Sequence, residues 1–160
     1  MQLRESGSRE DLVAMLRRCK TRGDPSLRPY LNSQITVESI PTERLAPLAN
    51  YVLQEQLDCL GMIQCRLLGI GVDIHDLSGR LVWTTGEEDG RICPPVVEQW
   101  EGEGLLLVDG LHRVWLARDQ ARPTITCVVL REVSVPLIAT KTDWSTIRVL
   151  PYGTRPDSYE

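Results

Sequence analysis

Apolar and polar residues follow two different spacings around the middle of the chain, one typical of strands and one typical of helices. Residues 105–108 are four consecutive apolar side chains, a pattern that predicts a short strand buried on both faces. Asp109-Gly110 then breaks the run. Leu111, Val114 and Trp115 follow at helical spacing. The sequence therefore predicts a strand that ends in a tight turn and passes directly into a helix.

The same spacings elsewhere predict a small mixed sheet with flanking helices, an α/β (α+β) fold. A capping box at 8–11 predicts the first helix, and a second is expected to follow Pro41 and to end at Gly61. A hairpin is expected from strands at 71–75 and 80–84. The other predicted features are strands at 34–38, 95–100 and 124–132, an acidic loop at 86–90, a hairpin turn at 101–104, and a short helix near 143–147.

The chain is expected to form a single domain, because no linker, internal repeat or low-complexity tract divides it. Residues 1–33 are interpreted as an N-terminal helix and lead-in. Residues 34–133 are interpreted as the core, and residues 134–160 as an irregular tail packed on that core. With 160 residues, 42% of them hydrophobic, the chain is long enough to bury a substantial core.

Composition narrows the classes of protein that the chain can represent. It contains no run of about 18 apolar residues and no apolar stretch at its start, so neither a membrane span nor a signal peptide is expected. Five irregularly spaced cysteines without a Cys-x-x-Cys pair favour reduced thiols in the cytoplasm over disulfides or a zinc site. The oligomeric state is left open, a homo-oligomer included.

The net charge of −4 argues against extended binding of DNA or RNA, which depends on basic surface. A local basic patch is still compatible with binding one nucleotide. His112 and Arg113 form such a patch in the first turn of the predicted helix. Basic residues are disfavoured there by the helix dipole unless an anion docks on the free backbone N–H groups.

We therefore interpret residues 109–113 as a phosphate-binding turn, formed by Asp109, Gly110, Leu111, His112 and Arg113. In the alternative interpretation the two basic side chains are simply solvated and Asp109 is only a helix cap.

The order strand, turn, strand, Asp-Gly-x-His-Arg, helix, strand over about residues 35–133 resembles the ParB/sulfiredoxin superfamily. Pro94-Pro95-Val96-Val97 precedes the 107–113 motif in the matching place. The resemblance implies a small α/β domain that binds a nucleotide, with the phosphates held where the His-Arg pair opens the helix.

Differences in this motif distinguish the members of the superfamily. Sulfiredoxins carry a cysteine nucleophile at the position of Leu111, so a sulfinic acid reductase is not expected. Partitioning members usually carry two arginines where this chain has His112-Arg113. Free serine kinases resemble it more closely, through an Asp-Gly-His-His-Arg turn and an upstream Pro-Thr-Glu segment matched here by Pro41-Thr42-Glu43.

Phosphoryl transfer gives these residues definite roles. Positive groups hold the phosphates, a divalent metal bridges them, and a carboxylate activates the acceptor hydroxyl. The sequence thus predicts Glu43 and His112 as catalytic residues and Asp109 as the ligand of Mg²⁺. Glu43 is read equally well as a helix-start residue.

The predicted function is a nucleotide-dependent phosphotransferase that uses ATP or ADP, or CTP in their place. Its acceptor would be a small hydroxylated metabolite such as an amino acid. The alternatives are a non-catalytic nucleotide-binding regulatory module and, disfavoured by the acidic composition, a DNA-processing protein.

Overall fold

The computed structural model describes residues 1–21, 24–86, 88–135 and 139–154. The helices in these ranges are α1 (Arg9–Arg17), α2 (Gln54–Leu68) and α3 (Leu111–Asp119). The strands are β1 (Gln2–Ser6), β2 (Gln34–Pro41), β3 (Leu45–Pro47), β4 (Tyr51–Leu53), β5 (Leu81–Thr85), β6 (Glu88–Ile92), β7 (Val96–Trp100), β8 (Gly104–Asp109), β9 (Thr124–Arg131) and β10 (Arg148–Leu150). Single 3₁₀ turns lie at Thr42–Arg44 and Trp144–Thr146.

A five-stranded mixed sheet, in the order β2-β9-β7-β8-β3, forms the centre of the fold. β2 and β9 are antiparallel, β9 and β7 parallel, β7 and β8 antiparallel, and β8 and β3 parallel. The β7–β8 pair is the predicted hairpin, with Trp100 opposite Gly104. The mixed sheet with flanking helices confirms the predicted fold class.

Side chains of alternate β9 residues lie on opposite faces of this sheet, as expected for a strand buried on both sides. One face packs against α3, whose Val114 and Ala117 are fully buried. The other face packs against α1 through Leu12 and Leu16. α3 therefore lies directly on the sheet, and its first turn is fixed at the end of β8.

The N-terminal helix follows its predicted start. Ser8 caps α1, and its side chain and that of Asp11 form the reciprocal bonds of a capping box. A second sheet, in the order β1-β5-β6, packs beside α2 around Leu67, Ile74 and Trp83. β1 lies in the predicted lead-in and pairs with β5 of the predicted core. The domain divisions at 33/34 and 133/134 stay predictions.

The segment between residues 41 and 92 differs from its prediction. The expected helix from Pro41 is instead a 3₁₀ turn followed by β3 and β4, and Gly61 lies within α2. The expected hairpin is wrong, because residues 71–75 form no strand and β5 pairs with β1 and β6. Most of the expected acidic loop belongs to β6.

Among the described residues, no helix combines the length and the apolar character needed to cross a membrane.

Candidate functional site

The site is built where β8 ends and α3 begins, as the hydrophobic pattern predicted. Gly110 is the N-cap of α3, with a left-handed φ of 91°, and no side chain caps the helix there. The interpretation of Asp109 as a helix cap is therefore wrong. The first backbone N–H groups of a helix lack intrahelical partners, so this end of α3 remains able to accept an anion.

Gly110 also permits a close approach between neighbouring side chains. A Cβ atom at this position would lie 2.8 Å from Cβ of Pro95 and 3.0 Å from Nη2 of Arg113. The guanidinium of Arg113 thus folds back over the turn that precedes its own helix. Any larger residue would push it away.

A cavity of about 700 Å³ opens beside this turn. Its walls come from the turn and the end of β8 before it, one face of α2, parts of β5 and β6 with Cys93 after β6, and the loop between β3 and β4. The lining residues are Leu48, Ala49, Gln56, Cys59, Leu60, Ile63, Trp83, Arg91, Ile92, Cys93, Leu107, Val108, Asp109, Gly110, Leu111, His112 and Arg113. All five predicted phosphate-binding residues therefore line one cavity.

Arg113 is the principal cation of this cavity, and it is only 8% exposed. Its Nη1 atom is buried without a hydrogen-bond partner among the described residues. Nη2 lies 3.6 Å from Oδ2 of Asp109, whose side chain is 70% exposed. Burial lowers the pKa of Arg113, which Asp109 partly offsets, but a guanidinium stays charged in proteins. Burying a charge with so little pairing lowers the stability of the fold unless an anion binds beside the charge.

His112 is not a free cation in this structure. Its Nε2 accepts a hydrogen bond of 3.0 Å from the backbone N–H of Leu53, the N-cap residue of α2. Burial lowers the pKa of His112 below the ordinary value of a histidine. Nε2 of His112 is therefore placed as a hydrogen-bond acceptor, and the contact of His112 with phosphate stays a prediction.

Comparison with known families agrees with this arrangement of strand, turn and helix. The family model of the ParB CE domain matches residues 11–145. The chain belongs to the ParB CE domain family. A search of curated proteins found no match, and a search of solved structures found none either. The matched range of this ParB CE domain contains the whole cavity.

Glu43, predicted as the catalytic base, lies in another part of the ParB CE domain. It lines a shallower depression of about 610 Å³ together with Trp115, Arg118, Asp119, Asp143, Trp144 and Ser145. Arg118 lies over the ring of Trp144, and its Nη1 donates to the carbonyl of Thr42. α3 spans nine residues, about 13 Å, and this depression lies towards its far end. The structure does not bring Glu43 to the 109–113 turn, and its catalytic role stays a prediction.

Sequence reasoning placed only residues 109–113 at this site of the ParB CE domain, and the lining residues that it missed include Gln56, Trp83 and Arg91. Trp83 lies on Gly90, where any Cβ atom would collide with the indole. Arg91 lies on β6, in a stretch whose acidic residues suggested a solvated loop. Gly90 lies opposite Trp83 across the β5–β6 hairpin. A glycine opposite an aromatic residue is a signal that could have placed Arg91 in a strand.

Within the described ranges of the ParB CE domain, no group of three or more His, Cys, Asp or Glu residues is placed to hold a metal ion. Asp109 is an isolated carboxylate at the mouth of the cavity. Such a group suits Mg²⁺ that is held mainly by phosphate oxygens and water.

Proposed function

We propose that this ParB CE domain binds a nucleotide in the cavity, with the phosphates at the 109–113 turn. The observation that carries the proposal is the buried guanidinium of Arg113, whose Nη1 has no partner within the described chain and whose carboxylate neighbour is mostly exposed. Phosphate oxygens offer the charge and the paired acceptors that a guanidinium bonds best.

Lining groups other than Arg113 also support an anionic ligand. The uncapped N-terminus of α3 lies in the lining, and so does Gln56 from the first turn of α2. Two helix N-termini thus border the same space, and each carries a partial positive charge. Arg91 adds a further cation from β6.

Apolar lining residues suit a nucleobase. Leu60 and Ile63 come from α2, and Trp83 and Ile92 come from β5 and β6. A cavity of about 700 Å³ falls within the ordinary range for small-molecule sites. A lining that combines these apolar side chains with a cationic turn matches the two chemical halves of a nucleotide.

The placement of Glu43 favours a binding or regulatory module over an enzyme, because the predicted base lies outside the cavity. A phosphotransferase acting on a small hydroxylated metabolite is the second candidate. It is favoured by one observation, the exposed carboxylate of Asp109 in the lining. That group is available to Mg²⁺ or to an acceptor hydroxyl.

Titration calorimetry with ATP, ADP, CTP and GTP in the presence of Mg²⁺ tests the proposal. The wild-type chain is expected to bind at least one of them. Arg113→Met, which keeps an unbranched apolar stem but removes the charged guanidinium, should weaken binding by about 1–3 kcal/mol, the contribution expected of charge-assisted hydrogen bonds. The matched control is Arg118→Met, on the same helix but outside the cavity, and it should change affinity less than about twofold.

Two results would contradict the proposal: absence of binding to the wild-type chain, or equal affinities for wild type and Arg113→Met. Thermal unfolding accompanies the titration. Because Arg113→Met removes a poorly paired buried charge, it should leave stability unchanged or raise it. If Arg113→Met lost both nucleotide binding and thermal stability, Arg113 would instead have a structural role.

Turnover assays separate the two candidates. A phosphotransferase would consume nucleotide with hydroxylated amino acids as acceptors, and Asp109→Asn would abolish turnover while binding persists. Glu43→Gln tests the base predicted from the sequence in the same assay. Tight binding without turnover for any acceptor supports the binding module.

A further inference from the structure

The two helices that border the cavity are tied together by a side chain whose predicted role was different. Nε2 of His112, in the first turn of α3, accepts the backbone N–H of Leu53 at 3.0 Å. Leu53 is the last residue of β4 and the residue from which α2 begins. No side chain caps α2 at this end. The imidazole is therefore a direct link from the phosphate-binding turn to the start of α2.

We propose that His112 is a positioning residue, a neutral hydrogen-bond acceptor that holds the start of α2 against the first turn of α3. Since Gln56, Cys59, Leu60 and Ile63 all line the cavity from α2, this bond fixes one wall relative to the cationic turn. The inference rests on the proposed function, because the ligand whose fit it sets is the nucleotide.

The chemistry of the ring separates this role from that of a phosphate-binding cation. An imidazole that accepts at Nε2 carries its proton on Nδ1 and is uncharged. Protonation of Nε2 would place two donors face to face and break the link to Leu53. A cationic histidine would instead gain attraction to phosphate from the same proton.

The surroundings of the ring are consistent with a neutral form. Burial is what lowers the pKa of His112. The titratable groups that share the cavity are Asp109 and Arg113 on its own turn, Arg91 and Cys93 from the β6 side, and Cys59 from α2.

Two substitutions separate the roles by charge and by hydrogen bonding. His112→Gln keeps a neutral acceptor and loses the ability to become charged. His112→Lys keeps a positive charge and loses the acceptor. A positioning role predicts that His112→Gln binds nucleotide within about threefold of wild type and that His112→Lys binds at least about tenfold more weakly. The reverse ranking, with Lys retaining affinity and Gln losing it, would overturn the proposal.

A pH series supplies a readout that simple loss of stability does not move. The measured quantity is the ratio of the wild-type affinity to the His112→Gln affinity between pH 8 and about pH 5.5. Titration of the nucleotide phosphates cancels in this ratio. A ratio that stays level or falls on acidification supports the neutral acceptor, and a ratio that rises refutes it.

Nuclear magnetic resonance of the nucleotide-free protein tests the link without reference to any ligand. Long-range ¹H–¹⁵N correlations at neutral pH should show His112 protonated at Nδ1 only. A ring protonated at Nε2, or at both nitrogens, would refute the inference. If the wild-type chain binds no nucleotide but this tautomer is found, the proposed function fails while the link between the helices stands.

Discussion

Gly110 meets two requirements at one position. Its backbone has a φ of 91°, in the left-handed region that L side chains rarely adopt, and the space where a Cβ atom would lie is taken by Pro95 and Arg113. Gly102, at the β7–β8 turn, shares the positive φ but has no heavy atom within 4 Å of such a Cβ. A comparison of substitutions at the two glycines therefore distinguishes the cost of backbone strain from the cost of a steric collision.

Gly110→Ala is expected to destabilise the fold by about 2–4 kcal/mol, since backbone strain and a collision with Pro95 add together. Gly102→Ala should cost about 1–2 kcal/mol, from strain alone. Urea unfolding of both variants measures the difference. Equal losses would show that Pro95 and Arg113 yield freely, which is incompatible with a rigid turn.

The position of the 109–113 turn was predictable because its residues are consecutive. An apolar run, a breaker pair and helical spacing are local signals, and they correctly placed Asp109 at the end of a strand and Arg113 in the first turn of the helix that follows. The bond between His112 and Leu53 joins residues 59 positions apart. A local pattern carries no information about a contact between residues so far apart. The sequence therefore suggested a cation at His112, where the structure has a hydrogen-bond acceptor.

α2 continues through Gly61, although glycine is a weak helix former. A Cβ atom at Gly61 would meet no heavy atom within 4 Å. The helix is held on both sides of this residue by the buried side chains of Leu57, Leu60 and Leu67. Tertiary packing therefore overrides the local preference on which the predicted helix end depended.

Gly61→Ala should stabilise the protein by about 0.5–1 kcal/mol, because alanine restricts the unfolded chain and fits the helix without strain. Gly71→Ala is the matched control just beyond the helix. Its position is equally open but has a φ of 80°, so destabilisation is expected there. Denaturant midpoints of the two variants should move in opposite directions. A loss of stability in Gly61→Ala would contradict the open environment of that position.

The elements that sequence reasoning missed depend on partners far along the chain. β3 pairs in parallel with β8, and β4 pairs in parallel with β10. Both pairings join a three-residue strand, β3 or β4, to a distant segment, and strands this short leave no periodicity of their own. Ile74 and His75 are buried although residues 71–75 form no strand, so the alternation of this segment was not a sign of strand structure.

Across the whole molecule, both histidines lie in surroundings that disfavour a charged ring. His75 is fully buried, and its Nε2 lies 3.2 Å from Nε2 of Gln64 on α2 and 3.3 Å from Oε1 of Gln120 after α3. Its Nδ1 is buried without a hydrogen-bond partner in the described chain. Burial lowers the pKa of His75, as it does for His112.

These lowered pKa values determine how stability changes with pH. The unfolded chain takes up protons near pH 6.5, while the folded chain resists until a lower pH. The part of the stability that depends on uncharged histidines is therefore fully present above about pH 6.5. It is lost as the pH falls from there towards the folded pKa values. Each histidine contributes at most about 1.4 kcal/mol per pH unit within that window.

Urea unfolding at pH 7.5 and pH 5.5 should accordingly show a lower free energy of unfolding at the acidic pH. The carboxyl groups whose pKa values are lowered, such as Asp11 and Asp143, titrate below this range and contribute little to the change. A double variant, His75→Gln with His112→Gln, should remove most of the pH dependence. Equal stability of the wild-type chain at both pH values would show that the histidines are not buried in solution.

The stacking of Trp83 on Gly90 has a practical consequence. An indole that is 6% exposed and also forms part of the cavity wall emits from a nearly dry environment. A planar base entering that space would lie beside the fluorophore and alter its emission. Trp83 is one of four tryptophans and the one that lines this cavity. A change in emission that Trp83→Phe abolishes would therefore report occupancy, and unlabelled compounds can be screened by it.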